Sequence, residues 1–435
     1  MVENKIQSYK SHSLLPKYLS VKIPNDWSIV PIRNLITEHK SGIFKNQEYY
    51  GRGTNIVGVS DLYYHSSIDG QLFRLAELSE DEIKEYRLKK DDIVYSESSL
   101  VEDGIGRALY VTGRGENTIF AWHTRRIRLN DHVYSKYVYY ALESRPIRKS
   151  IISRSTTTAL TGITTNEFFN TKIPIPPLQE QHKISSILSK LDELIQKTAL
   201  IIKLTQILKK GLMQRLLTKG IGHTKFKNTA LGEIPEEWNL VRMKEIVESY
   251  KNGIYKKSSF YGRGIPNVRM FNIQDGKVNI HDSPLIEVSD NELLDYGLRP
   301  GDILLNRVNS ADLVGKAGII KDDIGAAVFD SMIIRIRINN LSLPLFLNYF
   351  LNSRIYFRQI EGKIKHAVGQ SSLNQDDLNN LLIGLPTVSE QKEIVSSLSR
   401  LDEKSRLIVA VRENVKNLKN GLMQQLLSGK IRVTE

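Results

Sequence analysis

The chain contains no cysteine. That single absence removes disulfides, zinc ribbons, iron–sulfur clusters and thiol nucleophiles together. Long apolar runs are missing as well. The greasiest stretch, Leu341 to Leu351, is interrupted by Pro344 and Asn348 and falls well short of the roughly 18 apolar residues of a spanning helix. The opening residues (MVENKIQSYKSH) have no apolar core, so no secretory leader is expected and a cytoplasmic location is. Acidic residues are in deficit: 48 Asp+Glu stand against 61 Lys+Arg, a net charge of +13. Such a surplus favours a polyanionic partner, most simply nucleic acid, although many basic proteins bind none. With 40% hydrophobic and 25% charged residues, the composition is that of an ordinary globular protein, not a disordered one.

Signatures of catalysis are also wanting, and no catalytic residue is assigned. Ser310 to Ala317 approaches a phosphate-binding loop, but it lacks the first glycine and the final Ser/Thr that would hold magnesium. A turn between strands is the better reading, and Gly106-Arg107 in the other half of the chain supports it. The nine histidines are scattered without i,i+4 spacing, so no metal site is expected. The one Pro-Pro, at 176–177, follows Ile175 and is no methyl-transfer motif. Glu361-Gly362-Lys363 has the form of the end of a nuclease motif, yet its counterpart is absent from the first half.

What the chain does contain is itself, twice. Ile23-Pro24-Asn25-Asp26-Trp27 returns as Ile234-Pro235-Glu236-Glu237-Trp238, and Gly51-Arg52-Gly53 as Gly262-Arg263-Gly264. Gly106-Arg107-Ala108 returns as Gly315-Lys316-Ala317, Glu180-Gln181 as Glu390-Gln391, and Gly211-Leu212-Met213-Gln214 as Gly421-Leu422-Met423-Gln424. The offset stays near about 210 residues throughout, which makes this a tandem duplication and excludes a solenoid.

Each copy begins as α+β. Short strand-like runs (Asp92–Tyr95, Arg107–Val111, Ile127–Leu129) match Asp302–Leu305, Ala317–Ile320 and Ile333–Ile338, and helical patches follow near Ser135–Ser144 and Pro344–Asn352. Each copy ends in a long helix, the first opened by Pro176-Pro177. Apolar residues recur at Ile184, Ile187/Leu188, Leu191, Leu194/Ile195, Ile201/Ile202, Leu204, Leu208, Leu212 and Leu216, and again at Ile394, Leu398, Leu401, Ile408, Val411, Val415, Leu418, Leu422 and Leu426. A spacing near 3.5 predicts a coiled coil, each helix about 40 residues and roughly 60 Å long. Helices buried in two separate cores are the alternative. The expected division is 1–175, a first α+β domain; 176–220, a long helix; 221–385, a second α+β domain; and 386–435, a second long helix.

These residues resemble the specificity subunit of type I restriction-modification enzymes over essentially the whole chain. The resemblance rests on Pro174-Ile175-Pro176-Pro177-Leu178-Gln179-Glu180-Gln181, on Gly211 to Leu217, on the linker from His223 to Trp238, and on Pro300-Gly301-Asp302-Ile303-Leu304. The second copy departs from the pattern at Thr387, where a second proline is usual, and the first at Asp91. The resemblance implies an α+β fold with two tandem target recognition domains, separated by two long antiparallel coiled-coil helices related by a pseudo-twofold repeat. Each domain would read one half of a bipartite, asymmetric site in double-stranded DNA. The helices would set the spacer and dock two methyltransferase (M) subunits that bind S-adenosylmethionine; motor-nuclease (R) subunits would join for cleavage. The chain itself would hold no cofactor and do no chemistry.

Basic and amide residues in loops are then the DNA candidates: Lys40, Lys45, Arg52, Arg107, Arg114 and Arg125 in the first domain, with Thr156 and Thr157. In the second they are Lys251, Lys256, Lys257, Arg263, Arg269, Arg307, Asn309 and Lys316, with Gln370 and Ser371. Cations position phosphates, whereas Arg forks onto guanine and Asn or Gln onto adenine. A lone Lys or Arg is more often a solvated charge, and Arg126/Arg128 and Arg335/Arg337 have the alternation of residues lining one sheet face. Gln179, Glu180, Gln181, Glu390 and Gln391 are candidates for the methyltransferase interface, with helix-start chemistry as the equal alternative. A fused nuclease or methyltransferase and a DNA-free coiled-coil scaffold are the competing functions.

Overall fold

In the computed structural model, the residues described are 9–13, 20–156, 161–310, 313–367 and 370–433. By internal contacts the chain forms two compact units: residues 1–199 with 410–435, and residues 200–409. The chain therefore passes between units inside its two long helices, Leu178–Lys219 and Val388–Leu426.

The first unit is built on a five-stranded sheet in the order Ile36–Ser41, Thr124–Leu129, Ile93–Ser96, Ala108–Val111, Ser67–Ile68, antiparallel except for the last pair. A smaller sheet joins Ile119–Phe120, Tyr50–Val57 and Arg74–Ala76. The second unit repeats the plan with Val247–Asn252, Ile333–Ile338, Ile303–Asn306, Ala317–Ile319, Gly276–Val278 and Ile273–Gln274, beside a sheet of Leu285–Ile286, Tyr261–Val268 and Val328–Phe329. Helices Ser135–Glu143 and Pro344–Leu351 follow in the places the sequence assigns to them. The repeated Gly-Arg-Gly has a steric cause. Gly53 and Gly264 lie at φ of +100° and +98°, and a Cβ there would stand 2.5 Å from Ala76 O and 2.2 Å from Ile286 O. Only glycine fits.

The core of each unit is closed by both helices. In the first unit Ile184 and Leu188 pack with Met423, Leu426 and Leu427 against Trp27 and Phe168. In the second, Met213, Leu216 and Leu217 pack with Ile394 and Leu398 against Trp238 and Phe346. This explains the recurrent Gly-Leu-Met-Gln, whose methionine is the core residue. Within the first unit Glu180 meets Arg432 while Asp192 meets Lys419 at 2.5 Å, so the two helix segments run antiparallel. Within the second, Lys209 meets Asp402 at 2.5 Å and Glu390 accepts the Ile221 N–H, with the same sense. Tyr140 and Tyr349 each donate to the aspartate of their unit at 2.8 Å.

The inward row of the coiled coil differs in part from the apolar list. The covered positions are Leu191, Ile195 and Thr198 in the first unit, then Ile202, Thr205, Lys209, Leu212 and Leu216 in the second. Their alternation of four and three is a heptad seam. Of the pair Ile201/Ile202 it is Ile202 that is covered, while Leu204 and Leu208, expected inside, face solvent, 54% and 58% exposed. Two threonines and a lysine occupy seam positions, and for that reason apolarity alone misplaced the seam. No helix among the described residues is long and apolar enough to cross a membrane.

Candidate nucleic-acid interface

The helix starts come first, because they decide which residues are available to a partner. Trp27 Nε1 donates to Glu180 at 3.1 Å, and Trp238 Nε1 donates to Glu390 at 2.9 Å. Gln181 donates to Pro176 O at 2.9 Å and accepts the Tyr134 N–H at 2.8 Å. Gln391 does the same with Pro386 O at 3.0 Å and the Leu343 N–H at 2.9 Å. Glu180, Gln181 and Gln391 are only 2%, 1% and 0% exposed. The expectation that these three face a methyltransferase is therefore corrected: they weld each domain to its helix, and burial leaves them no surface to offer. Gln179 is exposed and Glu390 half-buried.

Two sets of candidate DNA contacts emerge in each unit. The first lies along the Gly-Arg-Gly strand and the short helix beside it. Lys45 pairs with Glu82 at 2.7 Å, Arg52 with Glu77 at 2.6 Å, and Lys40 with Glu85. Their counterparts are Lys256–Glu292 at 2.6 Å, Arg263–Glu287 at 2.7 Å and Lys251–Asp295 at 2.9 Å. The Lys45 and Lys256 ammonium groups hold the Glu82 and Glu292 carboxyls below the ordinary glutamate range. Surface pairs of this kind contribute about 0–1 kcal/mol, so a phosphate can displace the carboxylate at small cost. Lys257 is exposed and has no ionic partner among the described residues.

The second set gathers where the central strand ends. In the second unit Val308–Asn309 pairs with Gln370–Ser372, Asn309 opposite Ser371, which brings two separately named candidates together beside Arg307. In the first unit Ser98–Ser99 pairs with Thr161–Gly162, and Thr156 bridges to Gly162; Thr157 lies outside the described residues. Arg125 binds Glu97 at 2.5 Å, and Arg114 binds Asp69. Arg107 is held by Asp103 at 2.5 Å and by Glu143 at 3.0 Å. Arg269 lies 4.0 Å from Asp330 and over the Tyr261 ring. The strand arginines are spent internally. Arg128 binds Asp92 at 2.7 Å, Arg337 binds Asp302 at 2.6 Å, Arg335 donates to Gly297 O, and Arg126 pairs with Glu38.

An open cleft of about 1410 Å³ in the second unit collects Lys256, Arg269, Asn309 and Lys316 from the candidates. It adds Asn306 and Asn352, which reading along the sequence passed over. The signal that finds Asn352 is alignment of the copies: once Tyr140 is set against Tyr349, Glu143 falls opposite Asn352.

One cation-bearing face is thus carried twice, on domains sewn to long helices. The family model for the type I restriction modification DNA specificity domain matches residues 24–206 and again 235–417. The chain belongs to that specificity-domain family. Its relatives include the type I restriction enzyme MjaVIII specificity subunit of Methanocaldococcus jannaschii, 28% identical over 98% of both chains. The EcoKI specificity subunit of Escherichia coli is 25% identical over 94% of this chain and 89% of its own. The fold is that of the type I restriction-modification S subunit from M. genitalium, with a TM-score of 0.56 at 15% identity over 95% of this chain and 98% of that one. A chain from a structural study of type I assembly and conformational transition gives the same score at 17% identity, over 94% and 100%. In this specificity-family member the duplication, the α+β domains and the long helices are all accounted for.

Proposed function

We propose that the chain is the DNA-reading subunit of a type I restriction-modification complex, acting in the cytoplasm and performing no chemistry of its own. Each recognition domain reads one half of a bipartite, asymmetric site in double-stranded DNA. The helices set the spacer and dock two methyltransferase subunits, which carry S-adenosylmethionine; motor-nuclease subunits join for cleavage. The observation that carries this reading is the repetition of one cation-bearing face, Lys45/Arg52 against Lys256/Arg263, on two copies of a specificity domain. The loop cations and amides named from the sequence are the proposed contacts, Arg107 apart, since two carboxylates occupy it.

A solvent-facing row on the first long helix supports docking. Leu200, Ile201, Leu204, Ile207 and Leu208 are exposed, follow helical spacing along one side, and form the kind of apolar patch that marks an interaction site. Replacing Leu204 and Leu208 by Asp is expected to abolish co-purification with the methyltransferase while leaving the chain folded.

The deciding experiment maps methylation in cells carrying this chain and its methyltransferase. A two-part motif with a fixed gap is expected, and duplex affinity of the purified complex should fall steeply with salt. Absence of any motif, with salt-insensitive binding, would favour the scaffold. Inserting four residues near Ala199 or Ile408 adds about one helical turn, roughly 5.4 Å; the gap should lengthen while both half-sites stay the same.

A further inference from the structure

We infer that the cleft of the second unit receives one nucleotide of the duplex, its phosphate on Lys316 and Arg269 and its base edge at Asn306 and Asn309, and that Glu143 closes the matching place in the first unit. This rests on the DNA-reading function and assigns its point of contact.

The two places are equivalent by their backbone bonds. Ser96 N donates to Arg107 O and Gly106 N to Ser96 O; Asn306 N donates to Lys316 O and Gly315 N to Asn306 O. Their side chains differ. In the first unit the hydroxyl of Ser96 donates to Gly104 O, and Glu143 accepts the Ala108 N–H at 2.8 Å while it binds Arg107. Ser96, Arg107 and Glu143 are thus each partnered within the chain. In the second unit Asn352 replaces the glutamate and donates to Ala317 O at 3.1 Å; among the described residues no carboxylate is paired with Lys316. Asn306, in the cleft wall, is 2% exposed, and its Oδ1 has no hydrogen-bond partner among the described residues. A buried acceptor left unpaired is costly, and a ligand donor entering the cleft supplies what is missing.

The rest of the lining suits a nucleotide. Tyr255 and Phe271 offer exposed aromatic faces for sugar or base. Asp275 and Asp330 are the acids of the lining, and Arg269 lies 4.0 Å from Asp330, too loosely held to be lost to a phosphate. Strand pairing to Ser371 and Ser372 holds Asn309 in place. An amide presents a donor and an acceptor side by side, which matches the N6 and N7 edge of adenine in the major groove. The base read here is accordingly an adenine of the second unit's half-site.

The test uses the full chain in complex with its methyltransferase. Lys316→Ala should weaken duplex binding by about tenfold and lower the salt slope by about one. Asn309→Ala should relax the motif at one A·T position of one half-site and leave the other half-site intact. The intact half-site reports that the variant is folded. Wild-type affinity and an unchanged motif in both variants would overturn the assignment, as would a change confined to the first unit's half-site. A wild-type complex that yields no two-part motif would instead overturn the DNA-reading function on which the assignment rests.

Discussion

Trp27 and Trp238 do the same thing in the two units, each giving its indole N–H to the glutamate that opens a long helix. Around that shared bond the units part. Glu180 also binds Arg432, which reaches on to Asp26 at 2.6 Å. Glu390 binds His223 at 2.9 Å and the Ile221 N–H at 3.0 Å. The bonds that hold domain to helix are duplicated in kind, even where the residue changes. At the end of the central strand, by contrast, one copy carries an arginine neutralised by carboxylates and the other a lysine with no ionic partner among the described residues. Duplication has kept what the fold needs and varied what a ligand would meet.

The helix-start comparison breaks first at Glu180. Removing one partner of a buried ion pair costs about 3–5 kcal/mol, so Glu180→Ala should destabilise the chain by that order in urea denaturation, leaving Arg432 only Asp26 and stranding the Trp27 indole. Glu390 is half-buried, and its alanine variant should cost about 1–3 kcal/mol. Equal losses would mean that the two clasps are interchangeable.

At the strand end the comparison sharpens with Glu143→Gln. The amide still accepts from the Ala108 N–H but removes one of the two carboxylates on Arg107, leaving Asp103. Duplex affinity should rise about fivefold, roughly 1 kcal/mol, by isothermal or anisotropy titration. The equivalent pairs between helices should show no such asymmetry. Double-mutant cycles on Asp192–Lys419 and Asp402–Lys209 should return the same coupling, about 1 kcal/mol each.

The smallest effect concerns acid. Glu82 and Glu292 are held below their ordinary value of 4.5 by hydrogen bonds from Lys45 and Lys256. A depressed carboxyl stabilises the fold above its unfolded pKa and stops doing so as pH falls through its folded one. Glu82→Gln and Glu292→Gln should each flatten the fall of the melting temperature below about pH 4.5, slightly and by similar amounts.

Much of this molecule could be read along the chain. Ile333–Ile338 is strand because its residues alternate, and the long helices follow from apolar spacing. The Gly-Arg-Gly repeat marks a turn that needs glycine. Glu180-Gln181 was visible as a motif but not as an internal weld, because its partners Tyr134, Trp27 and Arg432 lie far off in sequence. Lys316 looked no different from Arg107 until Asn352 and Glu143 were seen beside them.

The sequence alone therefore determined that there are two copies, that each joins an α+β domain to a long helix, and which family they belong to. Repetition, period and turn chemistry are properties of neighbouring residues, so they survive without coordinates. Only the tertiary structure decided which charges are already spent, which helix face is left to solvent, and which strand end stays open. Those outcomes depend on partners brought together by folding: Lys209 with Asp402 across the coil, Arg432 with Glu180 from the far end of the chain, and an asparagine where its twin has a carboxylate.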